Sequence, residues 1–229
     1  MSAVRMQVSK HEMIRLNLDG NDKAELKILC LGAHSDDIEI GCGGTILHLI
    51  KQYPRCKITW VVFSAIGERK VEAQHGADGF AGKERVERID LKDFRDGFLP
   101  FVGAEVKGAF EELKQSIQPD LIFTHTRRDA HQDHRQLCEL TWNTFRNHLI
   151  LEYEIPKYDG DLGQPNVFVP LERDEYEKKV KKLMETFGTQ RSKRWFDEST
   201  FLGLMRLRGM ECNSESGYAE AFHCHKIVI

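Results

Sequence analysis

The sequence predicts an α/β fold: one domain in which a mostly parallel sheet is covered by helices on both faces. Two observations lead to this prediction. Short apolar runs without alternation, residues 27–32 and 57–64, are typical of strands buried on both faces. Segments with helical periodicity separate such runs, and strands that alternate with helices favour a parallel sheet. The length of 229 residues suits one substantial core.

The first half of the chain supplies three of the predicted strands. Residues 27–32 and 57–64 form the first two, and residues 88–94 form a weaker third. Between the first two strands, apolar residues recur at helical spacing until Pro54 ends that helix. Between the second and third strands we expect only a short helix, because glycines interrupt the segment: Gly76, Gly79 and Gly82.

The second half of the chain continues the alternation. Periodicity predicts helices over residues 106–117, 134–148 and 174–187, and a buried strand over residues 120–125. Residues 149–169 contain several prolines and glycines, so we expect mostly loop between two short strands. Sheets of this kind bind ligands beyond the carboxyl ends of their strands.

The composition excludes several classes of protein. Apolar residues make up 41% and charged residues 30% of the chain, and the net charge is -3, which argues against disorder and against a basic nucleic-acid surface. No apolar run could span a bilayer and no signal peptide is evident, so we expect a cytosolic protein. Polar residues 1–24 are interpreted as an N-terminal extension of a domain over residues 25–229. Six scattered cysteines without CxxC spacing indicate reduced thiols.

Two clusters of polar side chains lie at predicted strand ends. The first, in GAHSDDIEIGCGG (residues 32–44), contains His34, Asp36 and Asp37. The second, in THTRRDAHQDHR (residues 124–135), contains three histidines and two aspartates: His125, Asp129, His131, Asp133 and His134. Because the ends of parallel strands share one edge of the sheet, we expect the two clusters to converge although about a hundred residues separate them.

The residue types in these clusters suit a hydrolytic metal site. Two imidazoles and a carboxylate with an open coordination position are typical of catalytic zinc, which activates water and polarises a carbonyl. A free carboxylate can then accept a proton, and a further histidine can stabilise the oxyanion. The alternative interpretation, helix-capping aspartates and surface histidines, fits one cluster alone better than it fits two.

The motifs AHSDD and HQDH resemble the AHPDD-type and HPDH-type motifs of the PIG-L/LmbE-like zinc-dependent N-acetylglucosaminyl deacetylases. The resemblance extends from about Lys27 to the YAEAF stretch, which is similar to the closing strand of the family. It implies a Rossmann-like sheet and removal of acetyl groups from substrates that contain N-acetylglucosamine, with relatives often trimeric or hexameric. Ser35 stands where the family usually has proline, which changes the stiffness of the turn without removing a ligand.

Roles for individual residues follow from this resemblance. It implies three zinc ligands: His34, Asp37 and His134. It also implies that Asp36 is the general base and that His131 is the oxyanion stabiliser and acid, with Asp133 orienting either His131 or a ligand histidine. For Asp129 and His125, support of the ligands and ordinary strand-end polarity both stay open.

Further candidates surround the two motifs. Arg69 and Asp96 resemble substrate-contacting residues of the family, although a solvated loop charge and a turn-forming Asp-Gly pair are the alternatives. The segment 152–166 is interpreted either as a wall of the substrate pocket or as an ordinary loop. Four residues near the C-terminus are expected to lie on a helix surface or at a subunit contact, with contact to an anionic part of the substrate such as phosphate as the alternative: Arg194, Trp195, Arg206 and Arg208. His223 and His225 alternate on the predicted closing strand and have no obvious partner.

The leading functional hypothesis is a zinc-dependent N-deacetylase that acts on a small N-acetylated amino sugar or its conjugate; other divalent metals could also fit. The resemblance also extends to a zinc hydratase of an oxo-carboxylic acid, which is the main alternative. A non-catalytic metal- or sugar-binding module would not need the free carboxylate. A dinucleotide-binding oxidoreductase is disfavoured, because GCGG follows the aspartates and lacks the GxGxxG order. We expect no nucleic-acid partner, no membrane span, and a possible homo-oligomer.

Overall fold

A computed structural model describes Leu18 and residues 25–228 of the chain. Apart from Leu18, the predicted N-terminal extension over residues 1–24 therefore lies outside the described residues. The Leu18 backbone N–H donates to the Tyr53 hydroxyl at 3.2 Å, and the Leu18 side chain packs against the core.

Within residues 25–228, seven strands form one sheet in the order β3-β2-β1-β4-β5-β7-β6. The strands are β1 (Lys27–His34), β2 (Lys57–Ser64), β3 (Val86–Leu91), β4 (Leu121–His125), β5 (Leu149–Tyr153), β6 (Val167–Pro170) and β7 (Ala219–His223). Strands β1 to β5 are parallel, and β7 pairs antiparallel with both β5 and β6. The sheet is therefore mostly parallel, as predicted.

Helices cover both faces of this sheet. In the described part of the chain they are α1 (Asp37–Gln52), α2 (Glu68–Ala81), α3 (Gly103–Ser116), α4 (Gln132–Thr144), α5 (Arg173–Thr186) and α6 (Glu198–Glu211). Apolar residues of α3 and α4 pack on one face, and those of α1, α2, α5 and α6 pack on the other. The predicted α/β class, with a single domain and helices on both faces, is confirmed.

Strand β1 shows why the sequence forms this arrangement. Ile28 and Cys30 belong to the apolar core on one face of the sheet, and Leu29 and Leu31 belong to the core on the other. A central strand covered by helices buries both sets, so it has no polar face and no alternation of polarity along its sequence.

The prediction of a short, interrupted helix after β2 is wrong, because α2 runs unbroken for 14 residues. One glycine in this helix allows close packing, and another directly after it marks the end of the helix. A Cβ at Gly76 would overlap the Glu39 carboxyl of α1, so the glycine allows the two helices to approach closely. Gly82 adopts a φ of 77° directly after the last turn, which favours glycine at the helix end.

Other differences concern boundaries and one helix that periodicity did not predict. Strand β3 lies a few residues before the predicted 88–94, and α4 begins two residues before the predicted start at His134. Helix α6 carries Phe201 and Met205 in the core, but its apolar residues do not form one clear stripe in the sequence. Among the described residues, no helix is both long enough and apolar enough to cross a membrane.

Candidate metal centre and active site

The two sequence motifs meet at the carboxyl edge of the sheet. Strand β1 ends at His34 and β4 ends at His125, and the two strands are parallel neighbours. Helix α1 begins just after β1, and α4 begins at the same edge, after the loop that follows β4. Consequently His34 Nδ1 lies 3.1 Å from His134 Nε2, although 100 positions separate the residues. The predicted convergence is a feature of the fold.

Three donor atoms at this edge form a compact triangle. In addition to the 3.1 Å between the two imidazoles, Asp37 Oδ2 lies 3.3 Å from His34 Nδ1 and 3.5 Å from His134 Nε2. Ligands of a tetrahedral zinc ion with bonds of about 2.0–2.2 Å are separated by about 3.4 Å. The triangle therefore has the dimensions of three sites of a tetrahedral metal shell, and all three side chains are buried.

The donors continue into a wider cluster. Among the described residues, three sets have donor atoms that all lie within 4.8 Å of one another: His34, His131 and His134; His34, Asp96, His131 and Asp133; and Asp37, His125 and His134. His125 Nε2 lies 3.2 Å from Asp37 Oδ2 and accepts a hydrogen bond from the Ala33 backbone N–H at 3.0 Å. All eight aspartates and histidines of the two sequence clusters lie in or against this site, and Asp96 joins them.

Carboxylates fix the orientation of both histidines of the triangle. Asp129 Oδ2 lies 2.9 Å from His134 Nδ1, and Asp133 Oδ2 lies 3.2 Å from His34 Nε2. In a neutral ring, an N–H directed at the carboxylate leaves the other nitrogen, Nε2 of His134 and Nδ1 of His34, as a lone-pair donor. Burial lowers the pKa of His34, but the surrounding carboxylates, Asp37 first among them, outweigh burial and raise that pKa well above its ordinary value, so a metal at His34 Nδ1 would displace a proton. Burial, helped by the neighbouring His125, lowers the pKa of His134 to about 4, which favours the neutral ring that a metal ligand requires.

Asp133 contacts a proposed ligand histidine rather than His131, which is one of the two alternatives that the sequence left open. Its carboxylate lies against His34 and accepts from the backbone N–H groups of Gly97 and Leu99. His131 precedes α4, and its Nδ1 accepts a hydrogen bond from the Asp133 backbone N–H at 3.2 Å. Burial, with a smaller contribution from His34, lowers the pKa of His131 and so favours the neutral ring, whose proton the contact at Nδ1 directs to Nε2.

Asp36 and Asp37 are adjacent in sequence but electrostatically distinct. Burial and the charge of Asp37 raise the pKa of Asp36 to about 6. Burial also raises the pKa of Asp37, but the surrounding histidines, His134 first among them, outweigh it and hold that pKa well below the ordinary value. One carboxylate is therefore held ionised among imidazoles, while its neighbour titrates close to physiological pH, the range that suits a general base.

The two predicted substrate contacts lie together at the rim of the cluster. Arg69 Nη1 donates to Asp96 Oδ2 at 2.6 Å, and Arg69 Nη2 lies 3.8 Å from Asp36 Oδ1. Asp96 Oδ1 lies 3.0 Å from His34 Nε2, and half of the Asp96 side chain is exposed. These two residues thus combine contact with the buried cluster and access from solvent.

The C-terminal candidates lie outside the cluster and have structural contacts. Arg208 forms a buried ion pair with Glu154 at 2.7 Å, and Arg206 donates to the Gly217 carbonyl at 2.8 Å. His225 Nε2 lies 3.2 Å from the Glu152 carboxylate, so the expectation that this histidine has no partner is wrong. Sequence gave no hint of that pair, because its members lie on elements that are distant along the chain.

A side chain of the 152–166 loop reaches the cluster and was not singled out in the sequence. Lys157 Nζ lies 3.0 Å from Asp129 Oδ1. A lysine in a polar loop gives no signal of burial, and its partner is 28 positions away. Nor did the sequence indicate Tyr153, whose hydroxyl donates to the Leu31 carbonyl at 2.7 Å and lies 3.2 Å from His125 Nε2.

The sequence matches the family model described as "PIG-L: GlcNAc-PI de-N-acetylase" over residues 29–145, just over half of the chain. The chain belongs to the PIG-L family. Both histidine and aspartate clusters fall within the matched residues, and the fold beyond them continues through β5, β6 and β7.

Solved structures of PIG-L-like deacetylases share the fold of this PIG-L family member. The N,N'-diacetylchitobiose deacetylase from Pyrococcus horikoshii aligns with a TM-score of 0.67 and 22% identity over 86% of this chain and 83% of that chain. A teicoplanin deacetylase in its zinc-inhibited form aligns with a TM-score of 0.65 and 12% identity over 86% and 97%. The 4-carboxy-2-hydroxymuconate hydratase from Pseudomonas putida aligns with a TM-score of 0.72 and 14% identity over 89% and 98%.

Proposed function

We propose that this protein is a metal-dependent N-deacetylase that hydrolyses the acetamide of an N-acetylated amino sugar or of its conjugate. The observation that carries the proposal is the triangle of His34 Nδ1, Asp37 Oδ2 and His134 Nε2, with a second buried carboxylate, Asp36, directly beside it. Membership of the PIG-L family and the deacetylases among the related structures support the reaction type.

His34, Asp37 and His134 would hold the metal. Two imidazoles and one carboxylate form the donor set of several catalytic zinc sites, which leave a further position open. When bound, zinc lowers the pKa of coordinated water towards neutrality and polarises the substrate carbonyl. A related teicoplanin deacetylase is described as zinc-inhibited, so activity should be compared with several divalent ions rather than with zinc alone.

Asp36 is assigned as the general base. It lies beside the ligand set, and its pKa of about 6 allows it to be ionised near neutral pH and yet to accept a proton from the attacking water. Once protonated, the same carboxyl can deliver that proton to the leaving amine. Burial and Asp37 make uptake of the proton from water easier than it would be for an ordinary aspartate in water, because both raise the pKa of Asp36.

His131 is assigned as the donor to the oxyanion. Because its Nδ1 accepts the Asp133 backbone N–H, the ring proton lies on Nε2, where it can be donated to a developing negative charge. A neutral imidazole stabilises the oxyanion through a hydrogen bond but does not easily release its proton. We therefore assign the acid role, which the family resemblance gave to His131, to protonated Asp36.

Arg69 and Asp96 are assigned to the sugar. Their mutual hydrogen bond at 2.6 Å presents a guanidinium and a carboxylate at the entrance to the cluster, and such groups donate to and accept from neighbouring hydroxyls. Because Asp96 also contacts His34, binding of a hydroxyl here would position the adjacent acetamide relative to the metal ligands.

An acetate-release assay tests this function. The metal-loaded protein is incubated with free, nucleotide-linked and lipid-linked N-acetylhexosamines, and free acetate and amine are quantified. The Asp37→Asn variant, which lacks one proposed ligand, is the control. Release of acetate and amine in equal amounts by the wild type, abolished by a chelator and in the control, is expected; no release from any member of the panel would contradict the proposal.

A hydratase is the second candidate, because the hydratase from Pseudomonas putida shares this fold. Such an enzyme would add water to an oxo-carboxylic acid and release no acetate, so the loss of absorbance of an unsaturated oxo acid distinguishes it. Metal binding without either reaction would indicate a binding module. The cytosolic location and the trimeric or hexameric assembly stay predictions.

A further inference from the structure

We propose that Lys157 is a positioning residue for the metal centre: its ammonium group holds Asp129 in the orientation that directs His134 at the metal. This inference rests on the metal site of the proposed function. Lys157 lies in the loop between β5 and β6, and only 9% of its side chain is exposed. A lysine whose side chain is largely withdrawn from solvent requires partners for its ammonium group, and those partners lie against the candidate active site.

The contacts form a continuous path to the proposed ligand. Lys157 Nζ lies 3.0 Å from Asp129 Oδ1, and that oxygen also accepts the His131 backbone N–H at 2.8 Å. The other oxygen, Oδ2, lies 2.9 Å from His134 Nδ1. Each oxygen of Asp129 thus has its own partners, so the carboxylate cannot rotate without losing contacts on both sides. Fixing Asp129 fixes the plane and the tautomer of His134.

A second contact holds the same loop against the same segment. Asp161 Oδ2 lies 2.5 Å from Lys157 Nζ and accepts the backbone N–H of Ala130 at 2.6 Å. Two side chains of the loop therefore contact the stretch before α4: Lys157 contacts the Asp129 carboxylate, and Asp161 accepts the Ala130 backbone N–H. Lys157 lies between the two carboxylates and links them.

Two physical effects of the ammonium group have opposite signs, which makes the role testable. As a positive charge close to the centre, Lys157 repels a second cation and would weaken metal binding. As the partner of Asp129, it holds in place a carboxylate that directs a ligand nitrogen, and would strengthen metal binding. Our proposal is that the second effect is the larger. Removal of the ammonium group should then weaken metal binding, whereas a purely electrostatic role requires that binding becomes tighter.

The experiment compares metal affinity in three variants of the full chain. Lys157→Met removes the charge but keeps an unbranched side chain, and Lys157→Arg restores a cation that can contact both carboxylates. Arg208→Met is the matched control, because Arg208 pairs with Glu154 and donates to the Gly163 carbonyl in the same loop without contacting Asp129. Zinc dissociation constants are measured by competition with a chromophoric chelator, and circular dichroism checks that each variant is folded.

We expect the zinc dissociation constant to rise about tenfold in K157M, the lower end of the range for residues around metal ligands, and to return close to wild type in K157R. R208M should bind zinc as the wild type does. Unchanged or tighter binding in K157M, or equal weakening in R208M, would overturn the proposal. If K157M does not fold, Asp161→Asn, which removes the second anchor of the ammonium group, is expected to weaken binding and is read in the same way.

The same data separate this inference from the proposed function. If the wild type binds no zinc or other divalent ion, the metal site itself is wrong and the role of Lys157 falls with it. If the wild type binds metal and releases acetate while K157M binds equally well, only the positioning role is refuted.

Discussion

Replacement of Asp36 by asparagine should abolish most of the activity while leaving the metal bound. The substitution keeps the shape of the side chain and removes only its ability to take up a proton. Loss of a general base typically lowers the rate by about 10²–10⁴, which corresponds to about 3–5 kcal/mol in the activation barrier. His34, Asp37 and His134 stay unchanged, so the affinity for zinc should change little.

Without metal, the same variant should be more stable than the wild type at neutral pH. The folded state raises the pKa of Asp36 from 3.8 to about 6, so its contribution to stability is fully present below the unfolded-state pKa and is lost as the pH rises through 6. At pH 7 the ionised, buried carboxylate therefore destabilises the metal-free fold by about 3 kcal/mol, at 1.36 kcal/mol per unit. Asparagine does not ionise, so it causes no loss of folding stability as the pH rises. The free-energy cost of burying its amide is the same at every pH.

The assay combines turnover, metal content and unfolding. Acetate release gives the rate, chelator competition gives the zinc affinity, and urea unfolding of metal-free protein at several pH values gives the stability difference. We expect D36N to gain about 2–3 kcal/mol relative to wild type between pH 4 and pH 7. Turnover within threefold of wild type would remove Asp36 as the base; loss of zinc would make it a ligand; a pH-independent stability difference would refute the electrostatic reasoning.

Three further substitutions test separate parts of the site and fold. His134→Ala should lose stoichiometric zinc, measured by elemental analysis after dialysis, and retention of the metal would exclude His134 as a ligand. Arg69→Met should raise KM by about tenfold, or about 1.4 kcal/mol, with a smaller change in kcat, because it removes a partner of Asp96 at the rim; a change confined to kcat would contradict a binding role. Gly76→Ala should destabilise the protein by about 1–3 kcal/mol in urea unfolding, because its methyl group would overlap the Glu39 carboxyl; an unchanged midpoint would refute that packing argument.

The sequence predicted the central strands and the meeting of the two motifs for a definite physical reason. A strand buried on both faces must be apolar throughout, and β2 coincides with its predicted residues 57–64. Parallel strand ends share an edge, so the positions of His34 and His125 could be related before any distance was known. Both inferences depend only on local polarity and on a general rule of topology.

The parts that the sequence did not predict depend on contacts between distant segments. The length of helix α2 was underestimated because Gly76 lowers helix propensity locally. In the structure, Gly76 allows α1 to approach closely. The sequence could not decide whether the Asp133 carboxylate contacts His131 or His34. His131 is a near neighbour in sequence, whereas His34 is near only in the folded chain. Lys157 gave no signal at all, because a buried ion pair between a loop and a strand end leaves no periodic pattern.

The proposed mechanism gives the two adjacent aspartates different roles, and their surroundings in the structure differ accordingly. Neighbouring side chains diverge, and here Asp37 lies among three imidazoles, whose charges hold its pKa low, whereas Asp36 lies beside Asp37 and lacks comparable compensation. The ionised Asp37 itself helps to raise the pKa of Asp36 towards neutrality. A carboxylate that binds a cation and a carboxylate that exchanges a proton require opposite environments. The turn between β1 and α1 provides both within two residues, because one side chain faces the histidines of β4 and α4 and the other faces the guanidinium at the rim.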